Sequence, residues 1–240
     1  MPKASSFLAS GALLQGSPGR AFLPAKGDDP AAAPQPGPHL EEASAAAPGD
    51  LAAAFAFSLT RLAYRPDDPR PLVLVLGAAW LHERGFPSVR GLGFVPCRLI
   101  LVRTEREAQS LWALEEALKS GAVAGGLAAA ETIPFVVTRR LEFAAREGKA
   151  AGLLLRSRPS QELSAARLRW RVSTLPSTPG ADALSPGLPR WRAELTRRRD
   201  GPPGVFIAER RESDETHRLR LADRLADHGL VEDGRAIAAA

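Results

Sequence analysis

The sequence predicts an α/β protein: a mainly parallel sheet flanked by helices, with an antiparallel β extension on its C-terminal side. Apolar runs of strand length alternate with amphipathic helical stretches, which is the pattern of βαβ units. After residue 156 the apolar period changes from helical spacing to two. The chain has 240 residues, 45% of them hydrophobic and 25% charged, ordinary composition for one medium-sized domain with a real core.

Residues 1–37 are rich in Ala, Pro, Gly and Ser, with Pro30, Pro34 and Pro36 close together. Such a stretch buries too little apolar surface to offset the entropy of ordering, so it is expected to be a disordered arm. The domain follows over 38–210, and 211–240 is a tail. A short strand is expected at 39–41. A helix is expected over 51–63, with Asp50 as its N-cap. Leu72-Val73-Leu74-Val75-Leu76 reads as a buried strand ending at Gly77, and 98–103 (RLILVR) as a second.

Thr104 and Glu107 form a capping-box pattern for a helix that ends near Lys119, with Gly121 at C′. Its expected inner face is Ala108, Leu111, Leu114 and Leu118. A third strand is expected over 122–127, weakened by Gly125 and Gly126. A helix over 138–147 closes at Gly148 with Leu141, Ala144 and Ala145 inward, and Leu153-Leu154-Leu155 is a fourth strand. Then Ala166, Leu168, Trp170 and Val172 alternate with Arg167, Arg169 and Arg171. Trp191, Ala193 and Leu195 likewise alternate with Arg190, Arg192 and Glu194, and a further strand covers 205–208. Residues 217–228 carry Leu219, Leu221, Leu225 and Ala226 at spacing that suits a short docking helix.

Composition excludes several classes of function. No run approaches the ~18–20 apolar residues of a membrane-spanning helix. The single Cys97 rules out a disulfide framework, and the four scattered histidines show no metal-ligand spacing. Net charge is +5, and its basic part is local: residues 139–224 hold 19 Lys+Arg against 11 Asp+Glu.

Five segments in one order, LWALEEALKSGAVAG, TRRLEFAAREG, GLLLRS, ARLRWRV and WRAELTRRRDGPPG, resemble the ImuA family across about residues 38–209. The resemblance implies a RecA-like domain acting as a non-catalytic accessory in SOS-induced translesion DNA synthesis. It implies three protein partners: an ImuB-like Y-family polymerase homologue, an error-prone DNA polymerase alpha subunit of replicative type, and RecA. It also implies a cytoplasmic, bacterial setting, nucleoid-associated when active. Two other readings stay open beside it: a SulA-related inhibitor of cell division, and a RecA-family ATPase with an unrecognised nucleotide site.

A RecA-like fold raises the question of nucleotide chemistry. A phosphate-binding loop needs G-x-x-x-x-G-K-[ST] between a strand and a helix, where backbone N–H groups cradle phosphate and the lysine reaches the terminal one. No such motif occurs. In the register that the RecA likeness suggests, Ser44 replaces the first glycine, Gly49 is kept, Asp50 stands for the lysine and Leu51 for the hydroxyl residue. A carboxylate there repels a triphosphate. The strand read at 122–127 ends without an acid, and the strand at 72–76 runs into Gly77-Ala78-Ala79, so metal-holding carboxylates are missing as well. No catalytic residue, cofactor or metal is expected.

The arginines are the remaining constellation: Arg139 and Arg140 on a helix, Arg167, Arg169 and Arg171 on one strand, Arg190 and Arg192 on the next, then Arg197, Arg198 and Arg199. They fit DNA, an acidic partner surface or a solvated sheet face laced with Glu194 and Glu209, and charge alone does not choose among these. On the DNA reading, replacing Arg167, Arg169 and Arg171 with serine weakens single-strand binding without unfolding the protein. Trp170 and Trp191 fall on the apolar parity and are expected in the core.

Overall fold

The structure is a computed structural model. It describes residues 33–62, 68–87, 98–178, 187–210 and 219–224. The expectations for the arm up to residue 32, for Cys97 and for the ends of the tail lie outside those residues.

Nine strands form one sheet in the order β3-β2-β4-β5-β1-β6-β7-β8-β9. The first six in that order are parallel neighbours, and the last three add antiparallel. In chain order the elements are β1 (Leu40–Ala45), a 3-10 turn (Pro48–Asp50), α1 (Leu51–Leu62), β2 (Leu72–Gly77) and α2 (Ala78–Arg84). They continue with β3 (Leu99–Thr104), α3 (Glu107–Lys119), β4 (Gly125–Ala129), α4 (Phe135–Glu147) and β5 (Ala151–Arg156). The long ribbon follows: β6 (Leu168–Thr178), β7 (Leu188–Arg198), β8 (Gly204–Arg210) and β9 (Leu219–Arg224). The predicted fold class is the one observed.

Strand parity divides the core in two. On one face Leu74, Leu153, Trp170, Ala193 and Phe206 pack with α1 and α2 residues such as Phe57 and Leu81. On the other, Leu40, Val73, Val75 and Leu154 pack with Leu114 and Leu118 of α3 and Leu141 of α4. Trp170 and Trp191 are both buried. Phe57 and Phe206 meet the Trp170 ring edge-on at 5.1 and 5.9 Å between centroids, contacts worth roughly 0.5–1.5 kcal/mol each beyond area burial.

Several elements differ from the sequence reading. β1 runs to Ala45 instead of stopping at 41, because Glu41 and Glu42, which read as a polar stop, are buried with partners on opposite faces. β3 is an edge strand, so Ile100 and Leu101 are exposed instead of buried. The α3 cap is not the Thr104–Glu107 box: Gln109 Oε1 accepts the N–H groups of Arg106 and Glu105 at 3.0 and 3.2 Å. Thr104 ends β3 and shares a 2.6 Å hydrogen bond with Ser110, and Ser110, not Ala108, is buried on that helix. α4 begins at Phe135, so Arg139 and Arg140 lie in its second turn. β6 is parallel to β1, and only β7 to β9 are the antiparallel addition. The helix expected in the tail is replaced over 219–224 by β9, because Leu-Arg-Leu also satisfies a period of two and β8 offers a free edge to pair with.

β4 covers Gly125–Ala129, and its glycines are a packing requirement, not a weakness. A Cβ at Gly126 would stand 2.6 Å from Leu114 Cδ1. Only a bare backbone lets α3 come this close to the sheet. After α4 a Cβ at Gly148 would lie 1.7 Å from the Leu118 carbonyl oxygen, while the left-handed residue is Lys149, at φ 50°.

Candidate functional site: a closed strand–helix junction and a paired arginine face

β1, β4 and β5 are adjacent in the sheet, and their carboxyl ends flank the point where crossovers leave for opposite faces. α1 leaves β1 over one face and α4 leaves β4 over the other. Ligands of open α/β sheets bind at this place. Here it is filled from within. Ala46 donates its N–H to the Val172 carbonyl at 2.8 Å, and Asp50 donates its own to the Ala47 carbonyl at 2.9 Å. The Asp50 carboxylate takes the N–H of Ala47 at 3.1 Å and that of Thr174 at 2.8 Å. The amides of 46, 47 and 50, which a phosphate cradle would point at its ligand, are all donated to protein acceptors. A Cβ at Gly49 would meet nothing within 4 Å, so no close backbone approach demands glycine there.

Asp50 is therefore not the simple N-cap expected of it. It reaches back to Ala47 and across to β6. Ser44 is the penultimate residue of β1, its hydroxyl donated to the Trp170 carbonyl at 3.1 Å, and Leu51 is buried at the start of α1.

The reading of a missing acid after β4 rested on ending the strand too early. The strand ends at Ala129, and Glu131 follows. Glu131 spends its carboxylate on the Ser157 N–H at 2.8 Å, and its carbonyl accepts from Arg156. Among the described residues no group of His, Cys, Asp or Glu is placed to hold a metal ion.

Two buried charge clusters flank β1, and sequence reasoning missed both. On the α1 face Arg61 holds Glu41 through two hydrogen bonds of 2.9 and 2.7 Å, and Trp170 Nε1 donates to Glu41 at 2.9 Å. His39 Nε2 stands 3.3 Å away, and the Arg61 guanidinium lies 5.0 Å from the Trp170 ring centroid. Burial alone would raise the Glu41 carboxyl. The Arg61 charge and its hydrogen bonds, with His39 close beside them, outweigh it and hold the group at about 2. On the α4 face Glu42 meets Arg169 at 3.1 Å and Arg156 at 3.8 Å and accepts from Ser164. The signal was present in the sequence: two successive carboxylates inside an apolar strand need a buried cation on each face.

The predicted arginines do not form one free stripe. Arg167 pairs with Asp200, Arg169 with Glu42, and Arg171 with Glu194 at 2.6 Å. Arg197 donates to the Ser164 carbonyl at 2.9 Å. Arg198 and Arg199 lie in the field of Asp200, which Arg167's hydrogen bond, opposing a weaker burial effect, holds below the usual carboxylate range. The register places Arg190 opposite Glu209. Arg192 is exposed and pairs with no carboxylate among the described residues. Arg139 lies 6.0 Å from the Phe135 ring centroid, and Arg140 bridges to Glu115 on α3 at 2.7 Å. The ribbon groups Arg167, Arg169, Arg171 and Arg197 near one another, while Arg139 and Arg140 belong to the separate α3–α4 surface. Among the described residues no helix is long and apolar enough to cross a membrane.

No protein-family model matches the chain. Protein ImuA from Caulobacter vibrioides, in strains NA1000 / CB15N and ATCC 19089 / CIP 103742 / CB 15, is 38% identical over 172 residues, which is 65% of this chain and 70% of the relative. The crystal structure of SulA from Pseudomonas aeruginosa is 25% identical over 49% of this chain and 97% of that one, with a TM-score of 0.40, too loose a superposition to build on. The length and identity of the Caulobacter match settle the relationship: this chain belongs to the ImuA family.

Proposed function

We propose that the protein is a non-catalytic, RecA-like accessory of SOS-induced translesion DNA synthesis, active in the response to DNA damage. In this reading it holds together an ImuB-like Y-family polymerase homologue and an error-prone polymerase alpha subunit of replicative type, with RecA and DNA as further contacts, in the bacterial cytoplasm. Membership of the ImuA family supports the setting. The observation that carries the non-catalytic part is the closed junction: the amides of Ala46, Ala47 and Asp50 are donated internally, and a carboxylate occupies the place of the phosphate-reading lysine.

Two measurements test this reading. The tagged full chain, purified from cells after DNA damage, brings down the ImuB-like protein and the polymerase subunit. Failure of both to co-purify under those conditions contradicts the bridging role. Asp50→Lys, which restores the missing cation, does not yield ATP hydrolysis, because the backbone N–H groups of residues 46 and 50 still face the Val172 and Ala47 carbonyls. Turnover by that variant would show that the cradle survives.

A further inference from the structure

The crossover from β5 to β6, residues 157–167, passes over β1 on the α4 face without forming a helix. Arginines hold it down. Arg169 donates to the carbonyls of Ser160 and Glu162 at 2.7 and 3.0 Å, and Arg197 donates to that of Ser164. Ala165 donates its N–H to Thr138 Oγ1 at 3.0 Å, and that hydroxyl donates to the Phe135 carbonyl at 2.7 Å. The first turn of α4 therefore lies against the crossover. Together they present Leu163 (74% exposed), Val136 (66%) and Phe135 (43%). Arg139, over the Phe135 ring, and Arg158, in the same crossover, are exposed beside them. Single exposed hydrophobes are ordinary, but a set fixed on one patch marks a contact surface.

Beneath the patch lies a cation with unused N–H groups. The Arg156 side chain is 3% exposed. Its Nη1 donates to the Glu131 carbonyl and, at 3.3 Å, to Glu162 Oε2. Its Nε and Nη2 find no hydrogen-bond acceptor among the described residues. Buried donors of this kind cost free energy until an acceptor reaches them. Two carboxylates stand within 4 Å of this guanidinium. Glu42, at 3.8 Å, is buried and engaged with Ser164 and Arg169. Glu162 is exposed, and its contacts with Arg156 and the Ser160 hydroxyl are both 3.3 Å, long for charge-assisted bonds. Glu162 is free to swing out. A carboxylate arriving from outside then replaces it charge for charge, and the planar fork lets it take Nη1 and Nη2 together.

We propose that this patch docks a partner protein segment that carries a carboxylate beside apolar side chains, with Glu162 standing in for that carboxylate in the free chain. The apolar trio fits a protein segment, and Arg139 and Arg158 complement its acidic charge. The proposal rests on the bridging role stated above and names the surface that serves it.

Calorimetric titration of the full chain with the purified ImuB-like protein, and separately with the polymerase subunit, tests it. Binding of at least one is expected. Leu163→Asp weakens that binding at least about tenfold, the scale of a lost hot spot, with unchanged Tm because the side chain is exposed. Glu162→Gln tightens it about two- to fivefold, the scale of one exposed ion pair, whereas a Glu162 that only braced the crossover would bring no gain. If a protein binds and both variants behave as wild type, the patch is overturned and the bridging role stands. If neither protein binds, both fall together. Displacement of the bound protein by oligothymidylate would assign the patch to nucleic acid, and would overturn the proposal as well.

Discussion

The Asp50 carboxylate accepts the backbone N–H of Thr174 at 2.8 Å, tying the first strand–helix junction to a strand more than a hundred residues later. With the Ala46 bond to Val172, it makes the end of β6 part of the junction. The place where a nucleotide would sit in this class of fold has become a joint between the parallel sheet and its antiparallel extension.

Removing that joint has a measurable cost. Asp50→Ala leaves the amides of Ala47 and Thr174 without their acceptor and is expected to destabilise the protein by about 1–3 kcal/mol. Thermal unfolding checks this. Asp50→Asn keeps one neutral acceptor and falls between the two. A Tm unchanged in Asp50→Ala would mean that the joint holds nothing.

The Glu41–Arg61 pair gives the fold an acid limit. Glu41 titrates at about 2 in the folded chain against an ordinary 4.5, so its contribution to stability is complete above 4.5 and is lost as pH falls towards 2. Glu41→Gln is expected to flatten the dependence of Tm on pH across that window. Arg61→Met leaves the carboxylate buried without its guanidinium partner, a cost of up to about 3–5 kcal/mol. An identical acid profile in wild type and Glu41→Gln would remove Glu41 from the account.

Two glycines separate flexible from rigid crowding. The Cβ of Gly126→Ala would press on the tip of Leu114, which can move, at a cost of about 1–3 kcal/mol. Gly148→Ala drives a methyl into the Leu118 carbonyl oxygen, which cannot move without unwinding the end of α3, and it is the more damaging of the two. Urea unfolding of both variants gives the order, and the reverse order would contradict the helix–sheet geometry described.

The arginine face separates structural from surface charge. Arg169→Ser strips Glu42 of its nearest cation and is expected to lower Tm, so the triple serine variant suggested by the sequence is not neutral to folding. Arg192→Glu leaves Tm unchanged. If the ribbon touches DNA, Arg192→Glu weakens single-strand binding and reduces its salt slope. Titration at several salt concentrations with unchanged affinity would assign the ribbon to protein contacts or to solvent.

The parallel sheet was legible because Leu72–Leu76 and Leu153–Leu155 are unbroken apolar runs, and the ribbon because its tryptophans and arginines alternate. The ends of β1 and β4 were not. Glu41 and Glu42 look like surface residues until Arg61 and Arg169, distant in sequence, are placed beside them. Gly125 and Gly126 look like a break until Gly126 is seen to face Leu114 of α3, and Gly125 to face Ala151 of β5 and Leu62 of α1. β9 went unread because six residues with two periodicities take whichever partner the fold supplies. At the junction the absent lysine was visible in the sequence. The hydrogen bonds that close it depend on Val172 and Thr174, which only the tertiary structure brings to Ala46 and Asp50.

Equilibrium binding of magnesium–ATP to the full chain, followed by calorimetry alongside a hydrolysis assay, tests the central claim most directly. The closed junction predicts neither saturable heat nor phosphate release above a protein-free control. Saturable binding that Asp50→Ala alters would show that the junction opens to a triphosphate, and would contradict the account.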